Sequence, residues 1–311
     1  MKKRTEYPIN SDFDKWKDFN PPLDNKVVLW FMQKLMGILY LKEKSDETCD
    51  VIKYKIPYGK KRNMKALLYA PKLIPENAPC LIYFHGGGFV LPAAPYHYNN
   101  ARKYAVSTPC KILFVDYPIS PQSKFPIAVN ACFTAYKWAR KNAKQLKIDK
   151  NKIAIGGDSA GGNLASVVCM MAHDYKIQRP IAQMLIYPAI SSGIETHSMK
   201  HFTDTPLCNS EDVEKYANFY FKKEKDKYKK YVSPMNAKNY SIFPPTYIET
   251  AEFDCLRDEA ILFAEALKNA NIQTILNNTK ETMHGYDMVE DSDITIQNMQ
   301  KRIDFLKKHL N

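Results

Sequence analysis

Seven of the eleven glycines in this chain fall in two short clusters, HGGGF (85–89) and GGDSAGGN (156–163). Such concentration marks places where backbone must turn tightly or lie close against something else. An apolar, strand-like run precedes each cluster, CLIYF (80–84) and KIAI (152–155), and an apolar stretch of helical length, NLASVVCMMAHD (163–174), follows the second. The order strand, glycine turn, helix constrains the second cluster to a sharp elbow in which strand and helix nearly touch.

That elbow reads Gly157-Asp158-Ser159-Ala160-Gly161, the G-x-S-x-G pattern of a nucleophile held on a strained turn. Ser159 is therefore the expected nucleophile. A helix starting beside it points free N–H groups and its positive dipole end at developing negative charge. HGGG supplies what the elbow lacks. Attack on an ester carbonyl creates an oxyanion, which fixed N–H donors stabilise by about 3–4 kcal/mol each. The expected oxyanion-hole donors are Gly87 and Gly88, with the amide of Ala160. His85 is read as shaping the loop by hydrogen bonding rather than moving protons, with Gly86 and Asp158 as further supporting residues.

HGGGF, GDSAGG, FDCLRDE (253–259) and MHGY (283–286), in that order, resemble the hormone-sensitive lipase family of α/β-hydrolases, a group that includes bacterial carboxylesterases and arylacetamide deacetylases. The likeness runs from about residue 69 to 284 and takes in DYPIS (116–120) and YVSP (231–234). It implies an α/β fold with a mostly parallel central sheet, helices on both faces and a helical cap. Two departures stand out. The chain has DYPISPQ (116–122) where the family reads DYRLAPE, and Cys255 where a proline often follows the catalytic aspartate. Both bear on local rigidity, and neither touches a catalytic atom.

In this fold the chain order is nucleophile, acid, histidine. PTYIETAEFD (245–254) begins as a β-type run and ends in a polar turn, which places Asp254 at a strand end. Asp258 competes, but it opens the helical stretch RDEAILFAEALKNAN, where an acidic residue suits a helix N-terminus, and the resemblance also points to Asp254. His284, after the strand-like QTILNN and an expected loop, is the base; His309 reads as a favourable charge near the end of a C-terminal helix. His284 would take the Ser159 proton and pass it to the leaving alcohol, Asp254 would orient the imidazole, and water would release the acyl group. This chemistry implies no metal and no cofactor. The expected reaction is hydrolysis of short-chain acyl esters, with deacetylation of sugar or aryl acetyl groups as the alternative. A non-catalytic ligand receptor on the same fold is disfavoured by the intact His284.

The remaining sequence agrees with a soluble enzyme. A length of 311 residues with 45% hydrophobic content fills an α/β core and leaves enough for a cap. Seven scattered cysteines, without a CxxC pair, favour free thiols in a reducing, cytoplasmic setting. MKKRTEYPINSDFDKW has a basic start but no apolar stretch behind it, against a secretory signal. KVVLWFMQKLMGILYLK (26–42) is interrupted by Gln33 and Lys34 and falls short of the ~20 residues a bilayer span needs. It reads as a cap helix in preference to an interfacial one, with no stable membrane insertion. The net charge of +12 is spread along the chain, and its densest piece, FKKEKDKYKK (221–230), mixes both signs. That favours a solvated face over nucleic-acid binding.

The expected partner is a small-molecule ester, and a homo-oligomer is compatible with the pattern. The expected division is a cap segment 1–48, core 49–190, a cap insertion 191–236 and core 237–311, with bulky cap side chains narrowing the pocket. His197 and His201 would share a helix face but lack a third metal ligand, and His97 either lines the pocket or sits on a loop.

Overall fold

A computed structural model describes residues 5–19, 21 and 23–310, Tyr228 by its backbone alone. Among them eight strands form one sheet: β1 (Cys49–Tyr58), β2 (Arg62–Pro71), β3 (Ala78–Phe84), β4 (Lys111–Asp116), β5 (Ile148–Asp158), β6 (Gln183–Ile186), β7 (Thr246–Phe253) and β8 (Thr274–Met283). Their order across the sheet is β1-β2-β4-β3-β5-β6-β7-β8. β1 and β2 form an antiparallel pair, β2 joins β4 antiparallel, and every pairing from β4 through β8 is parallel.

The helices are α1 (Lys26–Met36), α2 (Pro95–Ser107), α3 (Ile127–Lys141), α4 (Ala143–Leu146), α5 (Ala160–Asp174), α6 (His197–His201), α7 (Ser210–Tyr220), α8 (Arg257–Asn269) and α9 (Asp293–Leu310). The near-continuous apolar run of β3 has the form of a strand covered on both sides. Cys80, Ile82 and Phe84 enter the core shared with α3, α5 and α8, while Leu81 and Tyr83 enter the opposite core with α2 and α9. The expected α/β-hydrolase architecture is thus observed.

Between β6 and β7 the chain leaves the sheet and forms α6 and α7; before β1 it forms α1. Side-chain oxygens of Asn25 and Asn209 accept backbone N–H groups at the starts of α1 and α7. Leu29 and Gln33 of α1 are buried, whereas Trp30, Phe31 and Leu35 remain exposed, so this helix is apolar on its outer face as well. Among the described residues no helix is long and apolar enough to cross a membrane.

α9 carries Arg302 into the interior, 1% exposed, where its guanidinium meets Glu249 of β7 and donates to Asp287 at 2.7 Å. The phenol of Tyr286 donates to Glu249 at 2.6 Å and that of Tyr187 to Asp287 at 2.5 Å. Removing one member of a buried charge cluster strands the others, at a cost of about 3–5 kcal/mol. Arg302→Leu should lower unfolding free energy by about that amount in urea titration. A change under about 1 kcal/mol would show that the cluster does not secure α9 to the sheet.

Candidate active site

β3 and β5 are neighbours with Phe84 opposite Gly157, which sets the HGGG loop beside the serine elbow at the carboxyl ends of the strands. Ser159 has φ 52° and ψ −120°, a strained conformation for a residue with a side chain, and α5 starts at the next residue. Its own N–H donates to the Ile186 carbonyl at 2.8 Å, which ties the elbow to β6. A Cβ at Gly157 would lie 2.4 Å from the Phe84 carbonyl oxygen, and one at Gly161 only 2.0 Å from the same atom. Strand and helix can approach this closely only without side chains at those two positions.

β7 and β8 are parallel neighbours with Phe253 opposite Met283, so Asp254 and His284 emerge side by side. Oδ2 of Asp254 lies 2.7 Å from His284 Nδ1, and His284 Nε2 lies 2.9 Å from Ser159 Oγ. With Nδ1–H donating to the carboxylate, Nε2 is left to accept the serine proton. The other oxygen of Asp254 accepts the Leu256 N–H at 2.9 Å, which fixes the carboxylate plane. Burial is the largest single influence on His284 and opposes its charge, but the surrounding groups, Asp254 first among them, together raise the imidazole to about 9.

Asp258 is turned elsewhere, accepting the Ser198 N–H at 2.8 Å and Arg257 Nε at 2.8 Å. His309 does lie near the end of α9, but burial and then Lys308 push its imidazole below the ordinary value, against the expected role as a helix-end cation. A second correction concerns the approach to His284. β8 continues to Met283, so the histidine follows a strand directly instead of a loop.

Gly87 and Gly88 adopt φ of +111° and +59°, and among the described residues their N–H groups donate to no protein acceptor. The loop is held from beneath by Asp158. Its Oδ2 accepts the Gly86 N–H at 2.9 Å and lies 3.0 Å from His97 Nε2, and its Oδ1 accepts the Tyr83 phenol at 2.9 Å. Burial works against this carboxylate, yet His97 and Tyr83 keep it below the usual range. His97 therefore occupies the first turn of α2 as a brace, and it also borders the pocket.

His85 keeps Nδ1 2.7 Å from the Gly86 carbonyl and stacks on Tyr117, whose phenol donates to the His85 carbonyl at 2.8 Å. Burial and His97 depress its imidazole to about 4, which leaves it neutral. His197 and His201 stack on each other in α6.

Ser159 and His284 open into a cavity of about 470 Å³, a size suited to a small organic molecule. Trp16, Met32 and Met36 wall it from the N-terminal segment, Leu207 and Tyr216 from the segment between β6 and β7. Sequence reasoning missed Glu259. From α8 its Oε1 accepts the N–H groups of Ile190 at 2.6 Å and Ser191 at 3.1 Å, pinning the chain as it leaves β6 toward the cap. Burial raises this carboxyl to about 8 despite those donors. The available signal was only its position beside Asp258, in a helix start that explains acidic residues by itself.

A serine, imidazole and carboxylate joined by hydrogen bonds at the carboxyl ends of a parallel sheet, facing a glycine loop, is the layout of a serine hydrolase. The chain belongs to the alpha/beta hydrolase fold family, whose match covers residues 81–288, as the resemblance to the hormone-sensitive lipase group implies. It is 31% identical over 223 residues to Carboxylesterase NlhH of Mycobacterium tuberculosis, covering 70% of each chain. It is 33% identical over 245 residues to Arylesterase of Saccharolobus solfataricus, covering 75% of this chain and 78% of the relative. Among solved structures, an esterase of Pyrobaculum calidifontis superposes with a TM-score of 0.86 at 30% identity, over 97% of this chain and 99% of the other.

Because Asp254 stabilises the protonated imidazole, kcat/KM should rise with pH along a limb centred above the ordinary histidine value of about 6.5. His284→Ala should reduce turnover by ~10³-fold or more, and His309→Ala should leave it near wild type. An acid limb centred below 6, or the reverse ranking of the two variants, would count against the geometry described.

Proposed function

We propose that the protein is a serine carboxylesterase acting on short-chain acyl esters. Ser159 attacks the acyl carbon, His284 transfers the proton, and Asp254 holds the imidazole without itself being protonated. The N–H groups of Gly87, Gly88 and Ala160 form the oxyanion hole, with His85, Gly86 and Asp158 supporting the loop. The observation that carries this reading is the unbroken chain from Asp254 through His284 to Ser159 Oγ, two contacts of 2.7 and 2.9 Å. Relatives with esterase names support the same reaction class.

Residues 1–48 and 191–236 act as the cap over a core of 49–190 and 237–311. Side chains of both cap segments wall the cavity. The seven buried free thiols support a cytoplasmic setting. The short-acyl preference follows from the wall. Tyr220 stacks on Phe89 with ring centres 4.1 Å apart, and Tyr216 lies so close to Gly88 that a Cβ there would sit 2.3 Å from its ring. Each methylene added to the acyl chain gains about 0.8 kcal/mol only while apolar space remains, and costs strain beyond it.

Measured over p-nitrophenyl esters from acetyl to dodecanoyl, kcat/KM should peak at acyl chains of roughly two to six carbons. A maximum at dodecanoyl would refute the short pocket, while a marked preference for acetylated sugars or aryl acetates would favour the deacetylase alternative. Ser159→Ala should leave only a small residual rate from the oxyanion hole and binding. Near wild-type turnover in that variant would end the serine-hydrolase account.

A further inference from the structure

α1 is apolar on two opposite faces, and only one of them is used by the cavity. Leu29, Met32, Gln33 and Met36 point inward, with Met32 and Met36 on the cavity wall. At the complementary helical positions Val27 is 64% exposed, Phe31 62% and Leu35 68%, with Trp30 at 47% beside them. Ile38 and Leu41 extend the strip past the end of the helix, each about half exposed. An exposed apolar strip of this kind marks a place of contact.

The charges around the strip decide what it contacts. Lys26, Lys34 and Lys42 are exposed along it, and residues 26–42 contain no aspartate or glutamate. The flanking acids are engaged elsewhere: Asp24 with Lys215 at 2.8 Å, and Glu43 with Arg102 at 3.5 Å. A second copy of the chain packed symmetrically on this face would bring lysine against lysine with no acid to meet them. An anionic lipid surface instead takes the apolar side chains between its acyl chains and pairs the lysines with headgroup phosphates. We propose that the outer face of α1 docks the protein, peripherally and reversibly, on anionic membrane surfaces. Docking requires no catalytic atom, so a Ser159→Ala chain docks as the wild type does.

The test is partition of the full chain onto vesicles of phosphatidylcholine and phosphatidylglycerol in a three-to-one ratio at low salt, against vesicles of phosphatidylcholine alone. The wild type should partition on the anionic vesicles, with a blue shift of Trp30 emission. Partition should weaken with salt, and about fivefold for each of Lys34→Gln and Lys42→Gln. The double variant Phe31→Gln/Leu35→Gln should lose about tenfold or more. Because both side chains are mostly solvent-exposed and neither borders the cavity, its melting temperature and hydrolysis of a soluble ester should be unchanged. No partition at low salt, partition insensitive to the double substitution, or partition without a change in Trp30 emission would overturn the proposal. So would a wild-type dimer that the double variant converts to monomer, since a second copy would then cover the face.

Discussion

The buried carboxylate of Asp158 joins the two glycine clusters, and the reaction geometry depends on that joint. Its backbone ends β5 and leads into Ser159, while its side chain grips the first amide of the HGGG loop. The nucleophile and the N–H groups opposite it are thus positioned by neighbouring atoms of one residue. An unpaired carboxylate at this depth would be costly, and Tyr83 and His97 offset that cost from β3 and α2. Neutral His85, stacked on Tyr117, then fills the space behind the loop without adding a charge.

The cap is tied into this arrangement rather than laid over it. Tyr216 and Tyr220, one helical turn apart on α7, rest on Gly88 and Phe89, so the segment that limits the cavity also limits movement of the HGGG loop. Glu259 works from the other side, holding Ile190 and Ser191 where the chain departs for α6 and α7. α1 completes the wall with two methionines, side chains whose flexibility suits an adaptable apolar lining. The cavity wall and the glycine loop therefore share parts. Substitutions in α7 are expected to alter both together.

The residues legible in the sequence were those whose roles leave a local mark. Ser159 lies in a pattern that only a strand–turn–helix elbow requires, Asp254 ends a β-type run, and His284 stands after it in the required order. The parallel sheet was legible because strands buried on both faces read as unbroken apolar runs, as CLIYF does. What stayed hidden depends on distant partners. Nothing in the stretch around Arg302 marks it, because its partners Glu249 and Asp287 lie 53 and 15 residues away. His97 could not be assigned without seeing Asp158, 61 residues on. The role expected of His309 failed for a related reason: packing against Phe305 half-buries the ring, and the lost solvation together with the neighbouring Lys308 lowers its pKa despite its place at the helix end.

Cys255 shows how the fold replaces rigidity that its sequence gives up. A proline after the acid would restrict the turn through its ring; a cysteine leaves the backbone freer. The loop is held instead by hydrogen bonds. Leu256 N–H meets Asp254 Oδ1 at 2.9 Å, and the Arg257 N–H meets the Asp254 carbonyl at 3.1 Å. Ser198 of α6 donates its hydroxyl to the Cys255 carbonyl at 2.8 Å and accepts the Asp258 N–H at 3.1 Å. Asp258, the competing candidate for the acid, returns the contact by accepting the Ser198 N–H. The segment between β6 and β7 thus braces the loop that carries Asp254, and the orientation of His284 depends on the cap through Ser198 as well as on the sheet.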